Sequence, residues 1–259
     1  MITDPKLGPQ QIAAGNASIA EKNRRFLENV VVWPGPNDNG WINMYVLRDS
    51  SWYIGWPFRD VDAFINRTHW VNRTGNFHDV RMCISQQSEC TTNRQGKPKA
   101  VATPANATWL RCVWIDCDNH YGSLRDVWAA ICAFRYKVGL PFPSAVVNSV
   151  EGLQVYWISN TPLTLGEWQP YASGLEALVL RENLTRRANY TANSTALLRV
   201  PGTKGHGCLP SQLVEIVHLG RRYDFSNALS VLPTAAIDAE VSRLLGRRRQ
   251  SRRVSGDPK

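Results

Sequence analysis

No apolar run in this chain approaches the length needed to cross a bilayer, so the sequence offers no membrane-spanning helix. The opening residues, Met1-Ile-Thr-Asp-Pro-Lys-Leu-Gly-Pro9, lack the basic-then-apolar order of an export signal, and a cytoplasmic location is expected. The six cysteines, Cys83, Cys90, Cys112, Cys117, Cys132 and Cys208, form no Cys-x-x-Cys. Four of them fall in expected strand or helix, so the set reads as reduced thiols and not as a disulfide framework. A zinc site built from Cys83, Cys90, His206 and Cys208 suits the usual ligand spacing poorly. There is no G-x-x-x-x-G-K-S/T, hence no P-loop ATPase, and no long-period repeat. One signal runs the other way. Asn-x-Ser/Thr triplets at Asn16, Asn66, Asn72, Asn106, Asn183, Asn189 and Asn193 leave an exported glycoprotein as an alternative.

What is present suits a soluble protein with a sizeable core: 43% of the 259 residues are hydrophobic and 20% charged. The formal charge of +9 is unevenly spread. Residues 243–259 carry seven of the 30 Lys and Arg but one of the 21 acids, leaving 23 against 20 elsewhere. Arg247, Arg248, Arg249, Arg252 and Arg253 are thus either a solvated tail or a sequence-independent clamp on phosphates. The expected organisation is a flexible arm over 1–16, one domain over 17–245, and a basic disordered tail over 246–259. Most of the ten tryptophans are expected in the core, with base stacking as their minority use.

A capping box at Ser18 and Glu21 predicts a helix over the following dozen residues. Strands are predicted at 41–47, 52–56 and 77–85, with a helix over 60–70 between the last two. Residues 88–107 are polar and read as an exposed loop. After a strand over 109–118, Ser123 and Asp126 cap a helix that Gly139 stops. Strands at 144–148 and 153–159 pair through Ser149-Val-Glu-Gly152, and a helix covers 164–182. A short apolar segment at 196–200 and a strand at 212–219 flank the glycine-rich Pro201-Gly-Thr-Lys-Gly-His-Gly207, and a final helix spans 235–245.

The most informative run is Trp109-Leu-Arg-Cys-Val-Trp-Ile-Asp116-Cys-Asp118. On a strand, Asp116 and Asp118 share one face and Cys117 takes the other. Two carboxylates about 7 Å apart repel unless a cation lies between them, and Mg²⁺ or Mn²⁺ is the hard ion they suit. A pair of acids marking a turn before a helix is the alternative.

Two further segments follow in order: Ser144-Ala-Val-Val-Asn-Ser149-Val-Glu-Gly152-Leu-Gln154-Val-Tyr156-Trp157 and Leu197-Leu-Arg199-Val-Pro201-Gly202-Thr203. With the aspartates, they resemble the archaeo-eukaryotic primase superfamily, in its RepB-like, phage and plasmid primase-polymerase branch. That branch carries an Asp-x-Asp, a Ser-Gly-x-Gly-x-His/Gln-x-Tyr-Trp hairpin and an Arg-x-Pro-Gly-Thr segment. The resemblance covers roughly residues 20–235 and implies an α/β primase-type fold, with an RRM-like sheet flanked by helices and a small α/β lobe on the N-terminal side.

It also implies metal-dependent, template-directed nucleotidyl transfer in the replication of a mobile element. Asp116 and Asp118 would hold Mg²⁺ or Mn²⁺ for catalysis. Ser149, Gly152, Gln154, Arg199, Lys204 and His206 would meet the incoming nucleoside triphosphate, and the basic tail would grip single-stranded DNA template. Unwinding would fall to a separate helicase or replication initiator. Of Tyr156 and Trp157, one is expected in the core while the other is free to face a base or sugar. Three positions differ from the family pattern. Gln154 stands where many relatives carry His, Asn193 where an acid completes the metal site, and Lys204-Gly-His206 where Asn-x-Lys is usual. Glu215 is the candidate replacement acid. A catalytically degenerate DNA-binding relative is the rival reading.

Overall fold

The protein is described here from a computed structural model, which covers residues 9–48, 52–74, 77–118, 122–186, 188–204, 212–240 and 243. His206, with the rest of 205–211, and the tail arginines therefore lie outside the described residues, as do 1–8. The first helix, α1 (Pro9–Val30), starts well before the capping signal at Ser18. Residues 9–16, expected in a loose arm, form its first turns. Proline suits the first helical position, and the Gln- and Ala-rich run after it has high helix propensity, so the helix extends past the internal cap.

Two four-stranded antiparallel sheets follow. The first contains β1 (Ile42–Arg48), β2 (Trp52–Phe58), β3 (Phe77–Cys83) and β9 (Leu197–Arg199), in the order β2-β1-β3-β9. The helix α2 (Val61–Thr74) connects β2 to β3. The polar segment 88–107 contains a small exposed hairpin, β4 (Thr91–Thr92) with β5 (Pro98–Lys99), where a plain loop was expected. Polar composition marks exposure, but it does not exclude a tight turn at Asn93–Gly96 that pairs the flanking residues.

The second sheet contains β6 (Trp109–Asp118), β7 (Ala145–Asn148), β8 (Gly152–Thr164) and β10 (Glu215–Leu219), in the order β10-β7-β8-β6. Helix α3 (Leu124–Val138) joins β6 to β7, and β8 inserts between those two strands as in a split β-α-β unit. Helix α4 (Leu165–Arg181) follows β8, and the short α5 (Phe225–Ala228) precedes a helical stretch at 231–240. The mixed α/β class, with antiparallel sheets flanked by helices, is the one the motifs implied. Among the described residues, no helix is long and apolar enough to cross a membrane.

The local signals explain where α3 begins and ends. Ser123 and Asp126 form a reciprocal capping box, and Gly139 closes the helix in the left-handed region at φ 77°. Buried residues from Phe26 to Ala235 form one contiguous core. Trp114, Trp157 and Trp168 lie fully inside it, the first and last stacked at 5.6 Å between ring centroids. Two Asn-x-Ser/Thr triplets also have structural uses. Asn106 is buried and bonds the backbone at Glu89 and Val101, while Asn72 donates to the Gly202 carbonyl.

All five described cysteines are free, and Cys83, Cys112 and Cys117 are buried. Burial pushes the Cys83 thiol up to about 11 and the Cys117 thiol up to about 12, so neither forms thiolate near neutral pH. A thiol reagent should therefore titrate six groups in denaturant while these three stay protected in the native protein. Fewer than six in denaturant, without reductant, would restore the disulfide-bonded alternative.

Candidate active site

The strand β6 carries Asp116 and Asp118 at its C-terminal end. Cross-strand pairing sets their surroundings: Asp116 lies opposite Gln154 on β8, and Asp118 opposite Gly152. Directly opposed residues share a face. Asp116, Gln154, Val147 and Ile216 therefore form one row across the sheet, with Asp118 on the same face two residues further along β6. Asp116 is 6% exposed and Gln154 3%, whereas Asp118 is half-buried. The Thr185 hydroxyl donates to the Asp116 carbonyl at 3.1 Å, and Trp114 Nε1 donates to the Tyr190 carbonyl at 3.1 Å. The first gives a β6 backbone carbonyl a side-chain partner, and the second satisfies the buried Trp114 indole.

The hairpin between β7 and β8 closes over this end of the strand. Ser149 is buried, and both its backbone N–H and its hydroxyl donate to the Gly152 carbonyl, at 3.0 and 3.1 Å. Gly152 has a purely steric reason to be glycine. A Cβ there would sit 2.1 Å from the Cys117 carbonyl oxygen and 2.8 Å from the Asp118 Cα. Its close approach is thus to the β6 backbone that presents the acids. Val150 has φ 73°, a left-handed conformation that costs a β-branched residue about 1–2 kcal/mol. The resembled hairpin has glycine at this position, and the backbone here keeps the glycine geometry although the side chain is valine. That departure was not singled out in the sequence.

Arg199 ties the two sheets together. Its strand, β9, pairs with β3 in the first sheet, yet its side chain reaches the second. Nη1 donates to the Ser149 carbonyl at 2.6 Å, Nη2 meets Glu151 Oε1 at 2.8 Å, and Nε meets Asp79 Oδ1 at 3.4 Å. Arg199 is 4% exposed and Asp79 1%. Burial works against the charge on Arg199, but Glu151 and Asp79 outweigh it and hold the guanidinium above its usual range. Arg81, directly opposite Arg199 on β3, grips the other oxygen of Asp79 at 2.8 and 2.9 Å and stays partly exposed. Asp79, Arg81 and Glu151 were not identified from sequence. Glu151 lies inside the hairpin motif, but Asp79 and Arg81 had no hint, since long-range pairing between β3 and β9 has no local signature.

The Pro201-Gly202-Thr203 bend turns the chain away from Arg199. Gly202 sits at φ 83°, where a Cβ would lie 2.3 Å from Asn23 Nδ2. Thr203 is buried and its hydroxyl donates to the Val200 carbonyl at 2.6 Å. Lys204 is exposed and bridges the backbone of Leu213.

Three expectations about individual residues meet a definite outcome in the structure. Tyr156 and Trp157 are both fully buried, so neither faces a base: the sheet is covered on both sides at this level. The Tyr156 hydroxyl donates to Gln154 Oε1 at 3.1 Å, and burial, aided by Cys112 and Asp116, keeps it protonated. Asn193 is exposed and caps its own turn, accepting from the Thr195 N–H and hydroxyl, at the end of β9 remote from Arg199. Glu215 falls in the row Glu215–Asn148–Leu153–Cys117, on the opposite face from Asp116. It therefore does not replace the missing acid. Among the described residues, no three His, Cys, Asp or Glu side chains gather as a metal cluster. The two aspartates do fit a Mg²⁺-like ion that takes one or two carboxylates and fills its shell with water and substrate oxygens.

Comparison with known proteins agrees with this architecture. The AEP domain of the cyanophage S-2L primase-polymerase aligns at a TM-score of 0.54 and 16% identity, covering 84% of this chain and 98% of that one. The primase RepB′ aligns at 0.50 and 13% identity, covering 92% of this chain and 68% of that one. No family model matches the sequence, and no curated protein does. The chain thus shares the fold of these primase domains, the fold that the resemblance implied.

Two predictions follow from the site's energetics. Arg199→Met leaves Asp79 buried with Arg81 alone and should cost about 3 kcal/mol in urea unfolding, at the lower end for a broken buried pair. Asp79→Asn should then cost far less on the Arg199→Met background than in wild type, whereas additive losses would show that the two side chains act independently. Val150→Gly relieves the left-handed valine but adds unfolded-chain entropy, so stability should rise by up to about 1 kcal/mol. A loss of more than that would mean that the valine side chain contributes more by packing than it costs in strain.

Proposed function

We propose that the protein is a divalent-metal-dependent, template-directed nucleotidyltransferase, a DNA primase or primase-polymerase in the replication of a plasmid, phage or other mobile element. The observation that carries this reading is the row made by Asp116 and Gln154, with Asp118 beside it, under a hairpin fixed by a buried arginine. The primase-type fold supports it independently. Bound Mg²⁺ or Mn²⁺ would supply activation of a 3′-hydroxyl and charge neutralisation at the α-phosphate. Phosphoryl transfer otherwise asks the protein mainly for positioning and electrostatics.

The residues divide that work. Asp116 and Asp118 supply the anionic oxygens. Gln154 presents an amide beside Asp116, its carbonyl oriented by Tyr156. An amide donates to phosphate but takes up no proton near neutral pH, so no acid role falls to it. Ser149 and Gly152 shape the hairpin against β6, and Arg199 acts on the nucleotide site through that hairpin. Lys204 and His206 would meet phosphate oxygens of the nucleotide, and Arg247, Arg248, Arg249, Arg252 and Arg253 the template backbone. The substrates are nucleoside triphosphates on single-stranded DNA, with unwinding supplied by another protein.

A second reading has a specific observation behind it. With Asn193 capping its own turn and Glu215 on the other face, the described site holds two carboxylates where relatives use three. A degenerate primase that binds single-stranded or origin DNA without chemistry would look the same.

Incubation with single-stranded template, labelled nucleotides and Mn²⁺ separates the two. We expect templated incorporation by wild type and a drop of about 10³-fold in Asp116→Asn and in Asp118→Asn, the loss of several kcal/mol of charge stabilisation. Wild type no more active than Asp116→Asn, with DNA binding intact, would establish the binder.

A further inference from the structure

Many cations among the described residues are paired. Arg24 meets Asp62 and Glu28, Arg81 and Arg199 share Asp79, Lys137 and Arg181 share Glu182, and Arg243 meets Glu240. A different group gathers along one side of α1 and forms no ion pair among the described residues. Lys22 and Arg25 are exposed one turn apart on α1, and Arg222 follows β10, while its neighbour Arg221 turns aside to lie over the Tyr223 ring. Arg111 joins them from β6.

Hydrogen bonds hold these groups in line. Lys22 Nζ donates to the Ile216 carbonyl at 2.6 Å, Arg222 Nε to Asn29 Oδ1 at 2.7 Å, and Arg111 Nη1 to the Glu28 carbonyl at 3.3 Å. Between Lys22 and Arg25 on one wall and Val217, His218 and Leu219 on the other lies a cavity of about 460 Å³. Glu21 is the one acid lining it. The line begins level with the aspartates, because Ile216 ends the row that starts at Asp116, about 14 Å away across three strand spacings. It finishes at Arg111, five residues back along β6, or about 17 Å by the rise of a strand.

Such an arrangement is unfavourable without an anion. Burial, and then the neighbouring Arg222 charge, push Arg111 below its usual range. Arg111 Nε is buried without a hydrogen-bond partner. The C-terminal end of α1 offsets part of the repulsion through its dipole, but it offers carbonyls to only part of each guanidinium. A chain of phosphates laid along the line would offset the crowded positive charge, since each is an anion with several acceptor oxygens for the exposed cations.

We propose that this ridge, from Lys22 and Arg25 to Arg222 and Arg111, binds the phosphodiester backbone of single-stranded nucleic acid as it passes along α1 over the second sheet. That the strand is the template rests on the function proposed above. The contact itself is sequence-independent, because it reads charge and not base edges.

The test uses the full chain and a fluorescein-labelled oligothymidylate in EDTA, with affinity followed by anisotropy across a salt series. Lys22→Gln/Arg25→Gln removes two exposed charges of the ridge. Lys97→Gln/Lys99→Gln removes two exposed charges from the hairpin of the other lobe and is the matched control. Losing two phosphate contacts should lower the slope of log K against log salt by about 1.4, at about 0.7 per contact for a single strand, while the control keeps the wild-type slope. An unchanged slope in the ridge variant, or equal drops in both, would overturn the proposal. Metal is absent throughout, so failure of templated synthesis leaves this measurement unaffected and the two hypotheses fail separately.

Discussion

A single buried guanidinium joins the two halves of this molecule. Arg199 belongs by backbone to the first sheet and by side chain to the hairpin of the second, and its charge is held by Asp79 from one side and Glu151 from the other. Burying ions is costly, and an apolar replacement can match a paired set in stability alone. What apolar contacts would not supply is direction. The bond to the Ser149 carbonyl fixes the hairpin at one point, and the contact of Gly152 with the β6 backbone fixes it at another. The carboxylates are thereby set relative to a residue more than eighty positions away in the chain.

Local features of this fold were readable because their causes are local. The capping box at Ser123, the stop at Gly139, the alternation that put Asp116 and Asp118 on one face, and the hairpin at 149–152 all depend on neighbouring residues. The places where reading failed share a different cause. Tyr156 and Trp157 alternate as an exposed strand would, but α1 and the other helices cover both faces of the sheet, so each is buried. Glu215 looked available until pairing with Asn148 fixed which way it points. Asp79 and Arg81 sit in a strand with no motif, and only the return of β9 gives them partners. The early start of α1 reflects competition between two helix-start signals, in which propensity upstream of Ser18 prevailed.

The site is also economical in its anions. Asp116 and Asp118 are its acids, while Asp79 and Glu151 are committed to arginines and contribute framework. Val150 adds a further trade: it keeps a backbone shape natural to glycine, and so places a branched side chain at the tip of the hairpin that faces the acids. Strain stored in a turn of this kind is tolerated because its neighbours hold it on both sides.

The return of β9 has a consequence for how the protein comes into being. The first sheet lacks its fourth strand until residues 197–199 have left the ribosome, although its other three strands end at Cys83. During synthesis the nascent N-terminal lobe waits with an open β3 edge and an arginine-hungry Asp79, a state in which exposed ladder groups favour mispairing. Closure then requires a long-range encounter, the slow kind in β-rich chains. Assembly of the lobe is thus coupled to arrival of the bend at Pro201, and the chain reaches its working form late and as a whole.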